Sequence, residues 1–242
     1  MHRRGRVVIL LGPPGSGKGT QAARLSEALG IPAISTGEVL RRECQSGSAI
    51  GRAVQSILAS GQLVSDELIN EVVASRLGRE DCEQGCILDG YPRTVSQARF
   101  LQRLLRTLKM ARPVVFDFEI ECEDVIARLS RRRQCARCGR IVTVNGTWRG
   151  SEMVCERDGS KLVERADDNP ATVRKRLRLY QQNAGALTRY YARQDFHRIL
   201  AARAPEQISD ELLGILAQRA LAANVTNRSR AVLRPQYHAQ PA

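Results

Sequence analysis

Apolar and polar positions along this chain follow two alternating rhythms. Val7 to Leu11 are apolar without interruption, so residues 6 to 11 predict a strand buried on both faces, and Lys18 to Leu29 predict the helix that follows a glycine-rich loop. "AISTGEVLRRE" offers Ser35 or Thr36 as a helix cap with apolar positions behind it. "VSDELINEVVASRL" starts another helix at Ser65, with Glu67 and Glu71 near its N-terminal end. In "CILDGYPRT" a short apolar run, Cys86 to Leu88, ends on Asp89 and a glycine-proline turn. "VVFDFEI" predicts a third strand, "EDVIARLSRRR" a basic helix and "ATVRKRLRLYQQNAGALTRYYARQ" a long one. Strands alternating with helices imply an α/β fold with a parallel sheet wrapped on both faces.

The rhythm breaks twice. Between Gln134 and Ala171 there are glycines, a lone tryptophan and three cysteines but no helical period, which predicts an insertion with its own small fold. After Ala220 periodicity fades and the chain ends with two prolines, so residues 223–242 read as a flexible tail.

A length of 242 residues suits one domain plus an insertion. No run approaches the roughly 20 apolar residues of a membrane helix, and the basic start "MHRRGR" precedes only five apolar residues, too few for a signal-peptide core. The expected compartment is the cytoplasm, with no membrane partner. Net charge is +13, which favours polyanions, yet only four of the 38 basic residues are lysines, a lopsidedness that arginine-biased coding also produces. Multiply charged nucleotides are polyanions too. Ten Phe, Trp and Tyr in the whole chain offer little platform for stacked bases, which ranks nucleic acid low as a partner. Seven cysteines, an odd number, with no regular framework among Cys44, Cys82, Cys86 and Cys122, argue against disulfides.

The loop itself reads "ILLGPPGSGKGTQ". Gly12 and Gly17-Lys18 fit the general phosphate-binding pattern, but the next residue is Gly19 and the hydroxyl comes one place later, at Thr20. That form resembles nucleoside monophosphate kinases. "STGEVLRRE", "LDGYPRTVSQ" and "RADDNPATVRKRL" are similar to segments of the adenylate kinase family, and the resemblance covers nearly all of residues 6 to 200.

The resemblance implies a P-loop NTPase-type parallel sheet flanked by helices, with a small zinc-ribbon-like lid and a helical monophosphate-binding segment. The divisions would be a core at 1–133 and 172–222, a monophosphate segment at 35–64 and a lid at 134–171. It implies reversible transfer of the γ-phosphoryl group of MgATP to AMP, giving two ADP, by a monomer. Lys18 would bridge the β- and γ-phosphates, and the amides of Gly15, Gly17, Gly19 and Thr20 would cradle the α- and β-phosphates. Thr36 and Arg41 match residues facing the acceptor's base and phosphate, Arg93 the clamp on the AMP phosphate, and Gln97 the reader of adenine. Gly90 would let backbone approach closely, and Asp89 would hold water ligands of Mg²⁺. Arg128 would stack on the donor adenine, while Arg132, Arg165 and Arg176 touch the transferring phosphates and Asp167 and Asp168 orient them. Arg131, Arg133, Arg174 and Arg178 read as solvated faces.

Cys135-x2-Cys138-x16-Cys155-x2-Asp158 has the paired short gaps of a structural zinc site. The sequence departs from the family where Val142-Thr143 replaces a Tyr-His pair and "ILAARAPE" replaces an Asp-Gly turn after the last strand. Two rivals remain in view. A UMP/CMP kinase would share the loop with a much shorter lid, and Gln97 and Thr36 favour AMP. A zinc-containing nucleic-acid-binding protein would use the basic surface and tail.

Overall fold

A computed structural model describes residues 5–47, 49–59, 64–144 and 154–232. At its centre lies β1 (Arg6–Leu11), paired in parallel with β3 (Gly85–Asp89) on one side and β4 (Val114–Glu119) on the other. β2 (Ala33–Ser35) extends the sheet beyond β3 and β8 (Asp195–Leu200) beyond β4, giving the order β2-β3-β1-β4-β8 with every pair parallel. Because side chains alternate along a strand, Val7, Ile9 and Leu11 enter one core with Leu88, Leu101 and Tyr191. Val8 and Leu10 enter the opposite core with Leu25, Phe116 and Leu212. An apolar run without gaps is what two covered faces require.

The crossovers and flanking layers are helical: α1 (Lys18–Leu29), α4 (Asp66–Leu77), α5 (Val95–Thr107), α6 (Cys122–Ser130), α7 (Pro170–Tyr191) and α8 (Pro205–Val232). Two insertions interrupt them. α2 (Thr36–Ser46) and α3 (Ala49–Ala59) follow β2, and a second sheet, β6-β5-β7, is built from β5 (Arg132–Cys135), β6 (Ile141–Thr143) and β7 (Leu162–Val163). The chain lays β2 and β3 on one side of β1 and β4 and β8 on the other, so a ligand crevice opens beyond the carboxyl end of β1.

Three differences from the sequence expectations have physical reasons. The basic helix ends at Ser130, because Arg132 to Gln134 pair antiparallel with Ile141 to Thr143 and so belong to the small sheet. α5 occupies a stretch to which the pattern assigned no element, although Ala98, Leu101 and Leu105 are buried at helical spacing. α8 runs on to Val232, into the first half of the expected tail at 223–242, with no proline after Pro205 until Pro235, and residues 233–242 lie outside the described residues. The lone Trp148 of the insertion also lies outside them. Among the described residues no helix is long and apolar enough to cross a membrane.

Candidate active site

A cavity of about 1110 Å³ occupies the predicted crevice, lined from the glycine-rich loop at one end to α2 and the turn after β3 at the other. The loop leaves β1 and closes on Gly17, whose left-handed backbone (φ 96°) makes the N-cap of α1 without a side-chain cap. The first helical bond runs from the Gln21 N–H to Gly17 O at 3.1 Å, so the N–H groups of Lys18, Gly19 and Thr20 precede the ladder and present the positive end of a helix to the cavity. Half-buried Lys18 folds back over the loop and donates to Gly12 O at 2.9 Å, Pro13 O at 2.6 Å and Ser16 Oγ at 3.2 Å. Burial lowers its ammonium to about 8; Asp89 opposes the fall, while Arg93, Arg176 and Arg132 add to it.

Asp89 ends β3 level with Leu10 of β1, and its Oδ2 lies 3.4 Å from where a Cβ on Gly19 would sit. Gly90 follows in the left-handed region (φ 76°), and a Cβ there would stand 3.2 Å from Arg93 Nη2. The Gly90 carbonyl accepts from Arg93 Nε at 2.8 Å and from the Thr36 hydroxyl at 3.2 Å, joining α2 to this turn. Arg93 is accessible because it projects into the open cavity, yet protein surrounds that cavity. Desolvation and then Arg176 push its guanidinium down to about 10, still protonated at neutral pH.

Four more arginines converge from separate elements. Arg132 forms a two-pronged pair with the fully buried carboxylate of Asp168, Nε to Oδ2 at 2.7 Å and Nη2 to Oδ1. Asp167 accepts from Arg176 Nη1 at 2.9 Å and faces Arg165 Nε at 3.4 Å and Arg41 Nη1 at 3.9 Å. Burial would raise Asp167, but Arg176, Arg165 and Arg41 outweigh it and hold the carboxyl below its ordinary value. Burial, with repulsion from Arg41 and Arg132, brings Arg165 down to about 10. Among the described residues two buried guanidinium atoms, Arg41 Nε and Arg165 Nε, make no hydrogen bond, although Arg165 Nε keeps its ion-pair contact with Asp167. Buried donors without partners are costly, and here they sit in an arginine-rich cavity suited to a polyphosphate.

The family profile for adenylate kinase matches residues 10–196. The chain belongs to the adenylate kinase family. It is 47% identical to an adenylate kinase of Anaeromyxobacter dehalogenans strain 2CP-1 over 185 residues, which cover 76% of this chain and 86% of the relative. An adenylate kinase of Thermosipho africanus is 40% identical over 210 residues, 86% of this chain and 98% of that one. One from Pseudothermotoga lettingae is 43% identical over 188 residues, 78% and 87% of the two chains.

Within this adenylate kinase framework the sequence-named arginines Arg41, Arg93, Arg128, Arg132, Arg165 and Arg176 all line the one cavity with Lys18 and Asp89. Arg128 donates to Ala201 O at 2.6 Å and to Ser16 O at 3.5 Å, linking the loop to the end of β8. Thr36 and Gln97 are buried instead of lining it. The Gln97 amide is engaged at both ends: Oε1 accepts from the Arg93 N–H at 2.7 Å, and Nε2 donates to Asp66 Oδ1 at 2.7 Å. Arg174 and Arg178 are exposed on α7, whereas Arg133 is half-buried. Sequence reasoning missed Asp66, which also accepts from Thr94, and Ser16, which holds Lys18; each partner is known only once the chain is folded.

The insertion that holds the β6-β5-β7 sheet carries a second cluster. One ligand atom from each of Cys135, Cys138, Cys155 and Asp158 lies within 4.8 Å of all the others, an arrangement able to hold a metal ion. Cys138 Sγ and Cys155 Sγ are 3.7 Å apart, and Cys135 Sγ is 3.3 Å from Asp158 Oδ1. Backbone amides of Arg137 and Cys138 donate to Cys135 Sγ, both at 3.4 Å, and that of Ser160 to Asp158 Oδ1 at 3.0 Å. The Ser160 amide holds the Asp158 carboxyl well below its usual range.

Proposed function

We propose that this cavity catalyses reversible transfer of the γ-phosphoryl group of MgATP to AMP, giving two ADP. The observation that carries the reading is the convergence of Lys18, Arg41, Arg93, Arg132, Arg165 and Arg176 on one cavity that runs from the glycine-rich loop to α2. A hydrolase of the same loop needs phosphate contacts at one end only; here guanidinium groups reach both ends of one cavity. Lys18 and the amides of Gly15, Gly17, Gly19 and Thr20 hold the donor phosphates, Arg128 stacks on the donor base, and Arg41 and Arg93 hold the acceptor phosphate, with Gly90 letting the backbone come close. Thr36 and Gln97, buried behind this end of the cavity, brace its acceptor side, Thr36 through Gly90 O and Gln97 through the Arg93 N–H.

An α-phosphate oxygen of AMP attacks the γ-phosphorus in line, and the bond from that phosphorus to the β–γ bridging oxygen breaks. No general base is needed, since the attacking oxygen is ionised at neutral pH. Arg132, Arg165 and Arg176, aimed by Asp167 and Asp168, stabilise charge on the moving group. Bound Mg²⁺ supplies further positive charge at the β- and γ-phosphates, and Asp89, beside the first turn of α1, is the carboxylate placed to hold its water ligands. The segment at 35–64 and the lid at 134–171 close over acceptor and donor, excluding the water that would otherwise receive the phosphoryl group.

For the lid cluster we infer zinc. Bonds of about 2.3 Å to sulfur at tetrahedral angles set two sulfurs about 3.8 Å apart, and a sulfur and a carboxylate oxygen about 3.5 Å apart, close to the spacings of Cys138–Cys155 and Cys135–Asp158. Four protein ligands leave no open position, so the role is structural. The family likeness supports a cytoplasmic monomer. The deciding experiment is ADP formation from ATP plus AMP with Mg²⁺, run beside CMP and UMP. Faster turnover of CMP or UMP than AMP overturns the acceptor assignment, and ATP hydrolysis without transfer overturns the kinase reading.

A further inference from the structure

Residues 201–208 form a wall at the loop end of the cavity, where Arg203, Pro205 and Ile208 line it. This is the stretch "AARAPEQI", which departs from the family's usual turn. Two side chains moor it to the phosphate loop. One is Arg128, through Ala201 O and Ser16 O. The other is Gln21, the residue directly after Thr20 and only 1% exposed. Its Nε2 donates to Pro205 O at 2.8 Å, its Oε1 accepts from Ser209 Oγ at 2.8 Å, and Ser209 Oγ also lies 2.9 Å from Pro205 O. A carbonyl can only accept, so Pro205 fixes which end of the amide faces it, and the hydroxyl of Ser209 takes the other. An exposed ion pair, Arg24 to Glu206, lies alongside and adds little of its own.

We propose that Gln21 is a positioning residue for the donor nucleotide: it sets the span between the phosphate loop and the wall on which the donor's base rests. The proposal rests on the reading of this cavity as a nucleoside triphosphate site. Phosphates are gripped by backbone N–H groups of Lys18 to Thr20, which do not depend on the Gln21 side chain. The base meets the first turn of α8, which does, because removing the amide breaks both of its bonds to that turn, Nε2 to Pro205 O and Ser209 Oγ to Oε1, and leaves Ser209 Oγ on Pro205 O, no longer tied to the phosphate loop. Affinity that comes from base and phosphates together should therefore depend on Gln21, and affinity for phosphates alone should not.

The test compares MgATP with inorganic tripolyphosphate, which carries the phosphates without a base, on the full-length protein. In Gln21→Leu, calorimetry should give about a tenfold weaker Kd for MgATP and less than a twofold change for tripolyphosphate. KM for AMP should stay within about twofold, and the preference for ATP over CTP as donor should narrow. Equal weakening of ATP and tripolyphosphate, or no change in either, overturns the proposal. Should Gln21→Leu fail to fold, Ser209→Ala decides. It keeps the Gln21–Pro205 bond and should weaken ATP about two- to threefold with tripolyphosphate unmoved; an unchanged ratio of the two affinities rejects the idea. ADP formation by the parent protein tests the kinase reading separately, since the binding comparison needs no acceptor.

Discussion

The arginines of the cavity and the cysteines of the lid are both clusters of buried polar groups, resolved in opposite ways. In the lid, amides of Arg137, Cys138 and Ser160 already donate to Cys135 and Asp158, and the four ligand atoms converge on one point. In the cavity, the cations outnumber the lining carboxylates Glu38, Asp89 and Asp167, and among the described residues Arg41 Nε and Arg165 Nε make no hydrogen bond. A set whose members already point at one another holds shape. An unbalanced set spends stability to be ready for ligands that come and go.

The sharpest way to break this contrast is to remove one group from each cluster. Arg93→Ala should lower kcat/KM by about 10² to 10³ with melting temperature nearly unchanged, since the proposed role is on phosphate and its one bond within the turn is to Gly90 O. Transfer to AMP at the parent rate would show that Arg93 does not hold the acceptor. Acidity gives the next largest effect. With its pKa lowered to about 8, Lys18 loses its proton in the free enzyme as pH rises through that value, so kcat/KM for ATP should fall toward tenfold per unit above about pH 8. Bound phosphates favour the charged form, so kcat at saturating ATP should hold to higher pH. The stability sign is opposite: the unfolded chain keeps that proton to higher pH, and the cost of burying charged Lys18, present below about pH 8, is relieved as pH rises. A flat profile between about pH 7 and 9 would contradict both.

In the lid the order of effects should reverse. Cys138→Ser, or a strong chelator, should lower the melting temperature by several degrees, about 2–4 °C per kcal/mol lost, while turnover on ice-cold samples falls less than about threefold. Elemental analysis should find about one zinc per chain; metal-free protein with an unaltered melting curve would remove the site. The smallest effect belongs to Arg178→Ala, exposed on α7, which should change kcat by less than about twofold.

The contrast also explains what was legible beforehand. β1, α1 and α7 follow from periodicity with bounds close to those observed, and the loop and the D-G-Y-P-R-T turn announce themselves through local patterns. The lid ligands are readable because each half of the site is a two-residue gap. What stayed hidden depends on partners far apart in sequence. Nothing near Gln97 says that Asp66 occupies its amide, and nothing near Arg132 says that it leaves the helix to pair with Thr143 and Asp168. α8 beyond Ala220 was hidden for another reason: the apolar period that marks a helix fades there, although no proline interrupts the chain before Pro235.

The ion pair between Arg41 on α2 and Asp167 at the foot of the lid means that both flaps draw on one carboxylate. Whatever draws Arg41 away from Asp167 alters what that carboxylate offers Arg165 and Arg176. With AMP on Arg41 and ATP on Arg165 and Arg176, as proposed, the two substrates would be energetically linked, and linkage is reciprocal: the factor by which ATP changes the affinity for AMP must equal the factor by which AMP changes the affinity for ATP.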